Sequence, residues 1–595
     1  MKKKLIATPF LILLTVFFAV CSYAAIENCD FSEPRDGYID GGDLAQFSAY
    51  YAAGDTAANV DEAGGVDSAD VAHFAGFFGS SYTVTARRPN ILLIIADDVG
   101  MDVVSDMYPG LVDDLLDKYG QDGFDLSADK LDRIDGIPAS TPVLDSLAQQ
   151  GMRFSNAWAQ PFCSPTRATV ITGMFIAKHN VKTFDEAMTT NHTTFVKRLH
   201  DEAGYSTAVF GKWHLAGGSG SGYTGAKPKQ VGFDLYKGNF DAAPTPGYWD
   251  HYYHVQDNDT DADEYRTDPT PTKDNFAPDI APTTYAPVVR AADTIEYITA
   301  QQEANPDKPW FVWLAFNLSH VTMRTYSPPI KDYYHVPNAD TMNADTLAEI
   351  SACGGVPGQY YSGNGDGVTE CNAAQLNRAM TNAMDTMIGR VLEKVDSIPS
   401  DTYVIFIGDN GTWSNNMDNM YGTYLGRGKT TPYESGARVP MVIRGPGITA
   451  DSQNDEFVHA ADLFSTCLEF AGLEVAPEEL VYHDYLNNPT ELDGVSLAPI
   501  LFGSASSVRD PELGYLLEEV GWSGTKVGAR NATYKVIRQT TVTSNLFYNL
   551  NDDPLEEDPL PIPGCEGYDP NSLARDSTWN YCRLLEVIDN YSIYP

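Results

Sequence analysis

A cysteine and an arginine four residues apart form the chemically most informative stretch of the chain, PFCSPTRATVITGM. Pro165 suits the first position of a helix, because its missing N–H has no intrahelical partner there, and the pattern predicts a helix over 166–172 that stops at Gly173. Cys163 would then lie at the helix N-terminus, where unpaired N–H groups and the helix dipole favour an anion. Arg167, one turn on, could hold two oxygens at once. The stretch therefore predicts an oxyanion site with a reactive residue in it; the alternative is a buried free cysteine beside a surface arginine.

Two apolar runs, each typical of a buried strand, end in paired oxygen ligands. NILLIIA is followed by Asp97 and Asp98, and TYVIFIG is followed by Asp409 and Asn410. In open α/β sheets ligands bind beyond the carboxyl ends of the strands, and adjacent like charges there require a neutralising cation. An all-oxygen set suits calcium or magnesium rather than zinc. Each pair alone is more often a turn or a helix cap, but the two together favour a metal site.

Three further fragments carry basic side chains beside apolar runs: GKWHL at 211–215, FNLSH at 316–320 and GKTTPYESGARVP at 428–440. A lone histidine at a strand end is usually structural. Together, however, the fragments would bring four basic side chains to one pocket, namely Lys212, His214, His320 and Lys429. Such a pocket above a metal suits a tetrahedral oxyanion.

The elements that must position these side chains alternate between strand and helix from Arg87 onward. Continuous apolar runs predict strands that are buried on both faces. Strands are expected at 90–96, 206–210, 310–317 and 402–407, and helices include 141–150 and 376–395. We therefore expect an α/β fold with a large central mixed or mostly parallel sheet flanked by helices. Beyond about residue 510 the helical pattern fades, and 534–537 and 546–550 predict a small antiparallel sheet.

Taken together, these motifs resemble the formylglycine-dependent (type I) sulfatases of the alkaline-phosphatase superfamily. The matching fragments follow the family's order over roughly residues 87–560: PNILLIIADD, CSPTRATVITG, GKWHL, the strand-end His320, FIGDNG, GKTTPYESGARVP and NATYKVI…LFYNLNDDP. The resemblance implies an alkaline-phosphatase-like fold and the hydrolysis of sulfate esters. It also implies that a maturation enzyme oxidises Cys163 to formylglycine.

The resemblance assigns a role to each site residue. It implies a calcium ion held by Asp97, Asp98, the modified Cys163, Asp409 and Asn410. The hydrated aldehyde would attack sulfur, with the metal and Arg167 lowering the pKa of one hydroxyl. Lys212, Lys429 and His320 would bind sulfate oxygens and stabilise the departing alcohol, with His320 as the proton donor. His214 would take the proton of the second hydroxyl, which expels sulfate and restores the aldehyde.

Three positions depart from the family pattern. Thr166 stands where the family usually has serine, the loop NLSHVTM lacks prolines that often surround the histidine, and Ser435 replaces the first glycine of Glu-Gly-Gly. The first departure bears on maturation of the cysteine. We expect the other two to lie near the leaving group.

Length and charge exclude several classes of function. The chain has 595 residues, enough to bury a large core, and a formal net charge of −42. So acidic a surface argues strongly against nucleic acid as a partner. Concentrated salt would screen the surface, so that only charges inside the pocket would act on an anionic substrate. No segment after the first 25 residues is apolar enough to predict a membrane span.

The N-terminal residues predict export and an additional module. Three lysines, an apolar stretch and Ser22-Tyr23-Ala24 form the pattern of a cleavable signal peptide, which predicts a periplasmic or extracellular protein; a membrane anchor is the alternative. Further on, the repeated stretches DGYIDGGDLAQF and GGVDSADVAHF resemble the tandem calcium loops of dockerin modules, with an acidic linker as the alternative. Such a module would bind more calcium and a protein partner. The predicted signal peptide, module with linker, catalytic domain and C-terminal subdomain cover 1–25, 26–85, 86–510 and 511–595.

The cysteines allow two local disulfides, as expected of an exported protein. Cys353 could pair with Cys371, and Cys565 with Cys582, although sequence alone does not decide the pairing. Cys467 fits the apolar face of a helix and is expected to be inert.

Three other segments have competing interpretations. The glycine run at 217–222 is expected to be a loop rather than a phosphate cradle, because no helical pattern follows it. The acidic stretch at 257–264 is expected to be a solvated loop. The motif YWDHYY at 248–253 is either a stacking platform for a sugar ring or a packed aromatic loop.

The function predicted overall is an exported sulfatase that acts on a sulfated carbohydrate. A phosphodiester or phosphonate monoester hydrolase on the same fold is one alternative, because phosphate and sulfate share their geometry. The other is a calcium-dependent binding protein whose Cys163 is never converted.

Overall fold

The computed structural model describes most of the chain from residue 87 onward. The described residues are 87–119, 137–184, 186–218, 222–251, 253–257, 264–266, 279–324, 331–361, 370–413, 416, 427–520, 526–539 and 545–592. The predicted signal peptide and the calcium-loop module at 26–85 lie outside them. So do the middle of the glycine run at 217–222 and most of the acidic stretch at 257–264.

The strands fall into one large sheet and several small ones. They are β1 (Asn90–Ala96), β2 (Met152–Phe154), β3 (Ala157–Trp158), β4 (Ser206–Lys212), β5 (Leu235–Asn239), β6 (Tyr253–Gln256), β7 (Glu264–Arg266), β8 (Trp310–Ala315), β9 (Thr322–Arg324), β10 (Lys331–His335), β11 (Tyr360–Tyr361), β12 (Thr402–Gly408), β13 (Met441–Arg444), β14 (Ser452–Asn454), β15 (Val458–His459), β16 (Tyr482–His483), β17 (Pro489–Thr490), β18 (Leu516–Val520), β19 (Lys526–Arg530), β20 (Tyr534–Gln539) and β21 (Leu546–Asn549).

Helices connect and cover the strands. They are α1 (Leu111–Tyr119), α2 (Pro142–Gln150), α3 (Cys163–Thr172), α4 (Ile176–His179), α5 (Phe195–Ala203), α6 (Ala286–Ala304), α7 (Ala344–Ala352), α8 (Ala373–Asp396), α9 (Glu434–Ala437), α10 (Asp462–Phe470), α11 (Ala498–Leu501) and α12 (Ser577–Tyr591), with short 3-10 turns at Ser105–Met107, Pro228–Val231 and Ala339–Thr341.

In the described part of the chain, the large sheet has ten strands in the order β14-β2-β13-β12-β1-β8-β4-β5-β6-β7. The five strands in its middle, from β12 to β5, all pair in parallel. Antiparallel pairing adds β13 at one side and β6 at the other. The prediction of a mixed, mostly parallel central sheet is confirmed, and its four predicted strands are β1, β4, β8 and β12.

Strand β1 is buried at every position because helices cover both faces of the sheet. Successive side chains of a strand point to opposite faces. Leu92 and Ile94 accordingly pack into the apolar cluster that includes α2, α6 and α8. Ile91 and Leu93 pack into the cluster on the other face, with α3, α5 and α10. This two-sided burial explains the unbroken apolar run in the sequence.

The C-terminal strands β18, β19, β20 and β21 form an antiparallel sheet in chain order. Helix α12 packs on it, burying Leu584 and Ile588 against Val527 and Val536. The predicted small antiparallel sheet is confirmed. The expectation that helices fade beyond residue 510 is wrong at α12, where the Asp576 carboxylate caps the helix by accepting from the Trp579 N–H at 2.9 Å.

The predicted disulfides are confirmed between Cys353 and Cys371 and between Cys565 and Cys582. Cys467 is a free, fully buried cysteine in α10, and burial raises the pKa of its thiol. Among the described residues, no helix combines the length and the apolar character that crossing a bilayer requires.

Candidate active site

The parallel pairing of β1 with β12 brings the four predicted oxygen ligands together. Their last paired residues are Ala96 and Gly408, so the two strands end at the same edge of the sheet. The side chains that follow are almost completely buried: Asp97, Asp98, Asp409 and Asn410. The Asp98 N–H donates to Asp409 Oδ1 at 3.2 Å, which ties the two strand ends to each other.

Two oxygens of this group have no hydrogen-bond partner in the described part of the chain, Asp97 Oδ1 and Asn410 Oδ1. Asn410 Nδ2 is engaged instead with Asp98 Oδ1 at 2.8 Å. Leaving buried acceptors unsatisfied costs free energy unless a donor or a cation meets them. Carboxylate and amide oxygens are also the ligands of hard cations. The residues present therefore fit a calcium or magnesium ion.

Arg167 binds the protein rather than facing an open cavity. Its Nε and Nη2 both donate to Asp409 Oδ2, at 3.2 and 2.9 Å. Its Nη1 donates to the backbone carbonyl of Lys212 at 2.8 Å. The expectation that this guanidinium is placed to hold substrate oxygens thus needs refinement, because these contacts orient Asp409 and the end of β4.

Cys163 lies in the same buried group. Its Sγ and one carboxylate oxygen each of Asp97 and Asp409 lie within 4.8 Å of one another. Its Sγ is also 3.3 Å from His214 Nδ1. The predicted nucleophile therefore lies beside both the proposed metal ligands and a histidine.

Helix α3 begins earlier than the sequence pattern predicts. It starts at Cys163 with Phe162 as N-cap, so Pro165 is its third residue rather than its first. The first four N–H groups of a helix lack intrahelical partners, so proline is tolerated at the third position as well. Gly173 ends the helix with φ 68°, as expected. Thr166, the departure from the family pattern, donates its hydroxyl to the Gln160 carbonyl at 2.8 Å.

The two predicted site lysines contact different carboxylates of the site. Lys212 Nζ lies 2.6 Å from Asp97 Oδ2, and Lys429 Nζ contacts Asp98 Oδ1. Burial raises the pKa of Asp97 well above its usual value, although Lys212 opposes the rise. Burial also favours the neutral form of Asp98, but Lys429 and His320 hold its pKa below the usual range. The site thus pairs each carboxylate of the first strand end with one ammonium group.

His320 follows β8 and completes the group. Its Nε2 lies 4.0 Å from Asp98 Oδ2, and its Nδ1 lies 2.6 Å from the Val321 carbonyl. A carbonyl only accepts, so Nδ1 carries the proton and Nε2 is the acceptor in the neutral ring. Burial lowers the pKa of His320 to about 3.

The first two residues of the aromatic motif at 248–253 pack against the protein and do not form an open stacking platform. Tyr248 is fully buried, and its hydroxyl lies 2.8 Å from the Asn317 carbonyl and 2.7 Å from the His320 carbonyl. Trp249 is half-buried and stacks on Tyr285 with ring centroids 4.9 Å apart. Tyr248 thus positions the His320 loop, a role that the motif alone does not reveal.

The segment 427–438, here called the lysine loop, holds a second group of buried charges that the sequence did not single out. The carboxylate of Glu434 is 3.1 Å from Lys535 Nζ and 3.2 Å from Arg530 Nη1. Ser435, expected near the leaving group, is buried and donates its hydroxyl to the Arg427 carbonyl at 3.0 Å. The fragments carrying Glu434 and Lys535 are both conspicuous in the sequence, but nothing local indicates that they meet.

Comparison with known proteins agrees with this geometry. A family model described as Sulfatase matches residues 89–473. Arylsulfatase G of Rattus norvegicus is 26% identical over 538 residues, which cover 81% of this chain and 84% of the relative. An arylsulfatase of Klebsiella aerogenes is 25% identical over 470 residues, which cover 67% of this chain and 89% of the relative.

Solved structures share the fold at lower identity. Ps i-CgsB superposes with a TM-score of 0.55 at 20% identity, covering 80% of this chain and 89% of that chain. A protein solved in complex with its substrate D-glucosamine-2-N,6-O-disulfate has a TM-score of 0.55 at 19% identity, covering 85% and 98%. The family model spans more than half of the chain. The chain therefore belongs to the sulfatase family and is an enzyme that hydrolyses sulfuric esters.

Proposed function

We propose that this enzyme releases sulfate from a sulfated carbohydrate with a formylglycine derived from Cys163 and a calcium ion. The observation that carries the proposal is the proximity of Cys163 to Asp97 and Asp409, whose ligand atoms lie within 4.8 Å of one another. The relatives add support for the substrate class, since one structural neighbour is described in complex with a disulfated glucosamine.

Calcium would be held by the oxygens of the two strand ends and by residue 163. The ligands from the strand ends would be Asp97, Asp98, Asp409 and Asn410. Two of their oxygens lack a partner in the described chain, and an all-oxygen donor set favours calcium or magnesium over zinc. When present, the ion would supply Lewis-acid stabilisation of negative charge, and the aldehyde hydrate an oxygen nucleophile.

The residues of the chain have distinct tasks in this proposal. Arg167 orients Asp409 through its two N–H···O contacts. Lys212 and Lys429, whose ammonium groups are buried at the site, bind the sulfate oxygens and balance the charge that develops on them. His214, whose Nδ1 is 3.3 Å from the Cys163 side chain, accepts a proton from the group at that position.

His320 is proposed to donate a proton to the departing alcohol. Because its Nδ1–H is directed at the Val321 carbonyl, the donated proton has to reside on Nε2. The ring must therefore be doubly protonated before it donates. Burial lowers the pKa of the ring, and the Asp98 carboxylate, 4.0 Å from Nε2, opposes that shift.

We also propose that the protein is exported, to the periplasm or beyond the cell. The signal-peptide pattern at 1–25 supports this. The repeated acidic stretches at 26–85 support additional calcium sites and a protein partner there. A formylglycine-generating enzyme would be the partner for maturation.

Mass spectrometry of the peptide that contains residue 163 tests the nucleophile. In protein from the native host we expect the mass of the aldehyde or its hydrate. The same preparation should release sulfate from at least one member of a panel of sulfated glycans, and should hydrolyse a sulfate ester faster than the matched phosphate ester. An unmodified thiol in fully active protein would rule out the proposed mechanism.

Chelation tests the metal. Dialysis against EGTA should lower the melting temperature and abolish turnover, and calcium should restore both. Ligand at one hundred times its Kd stabilises a folded state by about 2.7 kcal/mol. The Asp97→Asn variant is the control, because any calcium bound at 26–85 would still respond in it. If calcium restored turnover in Asp97→Asn as fully as in the wild type, the ligand assignment would be contradicted.

A further inference from the structure

The lysine loop (427–438) is joined to both halves of the active site by backbone hydrogen bonds. The Lys429 N–H donates to the Thr412 carbonyl at 2.9 Å, just beyond the second strand-end pair. The Thr430 N–H donates to the Pro161 carbonyl at 2.8 Å, just before the nucleophile. A displacement of this loop would therefore move a sulfate-binding lysine and disturb the approaches to the metal ligands and to residue 163.

The loop has little regular structure to hold it in place. Its only described helix is the single turn α9, and isolated turns of this length are not stable by themselves. Its placement must therefore come from tertiary contacts.

The Glu434 carboxylate provides one such contact. Glu434 is 3% exposed. Its Oε1 is 3.1 Å from Lys535 Nζ, and its Oε2 is 3.2 Å from both Arg530 Nη1 and Trp158 Nε1. Two of these donors belong to β19 and β20 of the C-terminal sheet, so this side chain fixes the loop to that sheet.

Glu556 provides the second contact. Its Oε2 accepts from the backbone N–H of Glu434 at 2.6 Å, and its Oε1 lies 2.8 Å from Lys535 Nζ. Its backbone carbonyl accepts from Arg427 Nη1 at 2.8 Å. Lys535 thus bridges the carboxylates of Glu434 and Glu556. Glu556 also binds the lysine loop directly, through the Glu434 backbone N–H and the Arg427 side chain.

These contacts are made by buried charges, which makes them selective for one arrangement. Removing one partner of a buried ion pair leaves an uncompensated charge and is strongly unfavourable. A shifted loop would separate Glu434 from Lys535 and Arg530, which would leave several buried charges without compensation. The network therefore restricts the loop to the position in which Lys429 reaches Asp98.

We propose that Glu434 is a positioning residue for Lys429, so that the C-terminal sheet, through Lys535 and Arg530, helps to build the sulfate-binding site. The inference rests on the proposed function, in which Lys429 binds sulfate oxygens. It assigns to the C-terminal sheet a role in catalysis in addition to packing.

Glu518 offers a matched control for the test. It lies on β18 of the same sheet, is fully buried and interacts electrostatically with the same charges. Neither of its carboxylate oxygens has a hydrogen-bond partner in the described chain. Glutamine nearly matches the size of glutamate at either position, but only at Glu434 does the substitution weaken contacts to the lysine loop.

The experiment compares Glu434→Gln with Glu518→Gln by steady-state kinetics on one sulfate ester, well below both melting temperatures. Small displacements of a substrate-binding group cost on the order of 10²-fold in rate, so we expect Glu434→Gln to lose about 10- to 100-fold in kcat/KM, with a rise in KM. Glu518→Gln should stay within about twofold of wild type. Conversion of residue 163 is measured by mass spectrometry in each variant, so that a maturation defect is not mistaken for a positioning effect.

Equal kcat/KM values for the two variants would overturn the proposal. Amide hydrogen exchange over 427–438 provides a readout that does not need turnover: it should accelerate in Glu434→Gln and not in Glu518→Gln. If the wild-type enzyme released no sulfate at all, the proposed function would fail. Exchange over the lysine loop would then decide the positioning role alone, and unchanged exchange in Glu434→Gln would reject it.

Discussion

Two clusters of buried carboxylates and cations differ in how their oxygens are satisfied. One is the strand-end site, which contains Asp97, Asp98, Asp409 and Asn410 with Lys212 and Lys429. The other is the Glu434 network, which contains Glu434, Glu556, Lys535 and Arg530. At the strand ends, Asp97 Oδ1 and Asn410 Oδ1 have no hydrogen-bond partner in the described chain. In the network, both carboxylate oxygens of Glu434 receive donors from the protein. Buried unsatisfied oxygens within a cluster of acidic residues are compatible with a metal ion, whereas a carboxylate whose oxygens both accept from the protein indicates a structural connection.

Glu518 shows that an unsatisfied carboxylate is not by itself a ligand site. Both of its oxygens lack partners in the described residues, and burial raises the pKa of this side chain well above its usual value. A carboxyl group in this position is stable in its neutral form. The strand-end site differs in that one ligand atom each of Asp97, Cys163 and Asp409 lie within 4.8 Å of one another.

The largest effect is expected for Cys163→Ala. Alanine cannot be converted to an aldehyde, and removing a covalent nucleophile costs about 10⁴- to 10⁶-fold in kcat. Sulfate release under saturating substrate measures the loss. Cys467→Ala is the matched control, since it removes the second free cysteine in the described part of the chain, and it should keep its activity. Turnover by Cys163→Ala at a hundredth of the wild-type rate would refute the assignment.

The next largest effect is expected on the free energy of unfolding, when the Glu434 network is broken. Lys535→Met leaves Glu434 and Glu556 buried without their shared cation, and such losses cost about 3–5 kcal/mol. The midpoint of urea unfolding should fall accordingly. Glu518→Gln should leave the midpoint unchanged or raise it, because it replaces a buried carboxyl group whose oxygens have no hydrogen-bond partner in the described chain. A midpoint for Lys535→Met equal to that of wild type would show that the network contributes little to stability.

A smaller effect is expected when the lysine that the network positions is itself removed. Lys429→Met eliminates one donor to the developing charge, and donors of this kind contribute about 10²- to 10³-fold to rate. The change should appear in kcat/KM for the sulfate ester, and the melting temperature should also fall, because Asp98 loses its buried cation. Lys178→Met, which removes a partly exposed lysine paired with Asp493, should leave kcat/KM unaltered. A normal kcat/KM for Lys429→Met would argue against sulfate binding by this residue.

The smallest effect is expected for an ion pair at the surface. The Arg153 and Asp451 side chains are 2.9 Å apart, but that of Asp451 is 68% exposed. Exposed pairs contribute about 0–1 kcal/mol because water and salt screen them. Asp451→Ala should therefore shift the urea midpoint far less than Lys535→Met. Similar shifts for the two variants would mean that burial is not what gives the network its strength.

Much of the fold and part of the site follow directly from local sequence patterns. Unbroken apolar runs predicted the parallel strands because helices bury both sheet faces, and the polar residues after β1 and β12 had to emerge at a common edge. Local sequence was less decisive for the start of α3, because Pro165 is compatible with several positions of the first turn. It was misleading at α12, where the apolar residues have a helical spacing within an otherwise weak pattern.

By itself, then, the sequence identified the polar residues at the two strand ends, the cysteine and the basic side chains that lie near them, since each follows from a short motif. Only the tertiary structure decided what these groups touch. Arg167 meets Asp409 across 242 residues of sequence, and Glu434 meets Lys535 across 101. The choice of partner depends on which elements the fold makes adjacent, and in a buried site each charge must find its compensation among those neighbours. That physical requirement is why the Glu434 network becomes evident only in three dimensions.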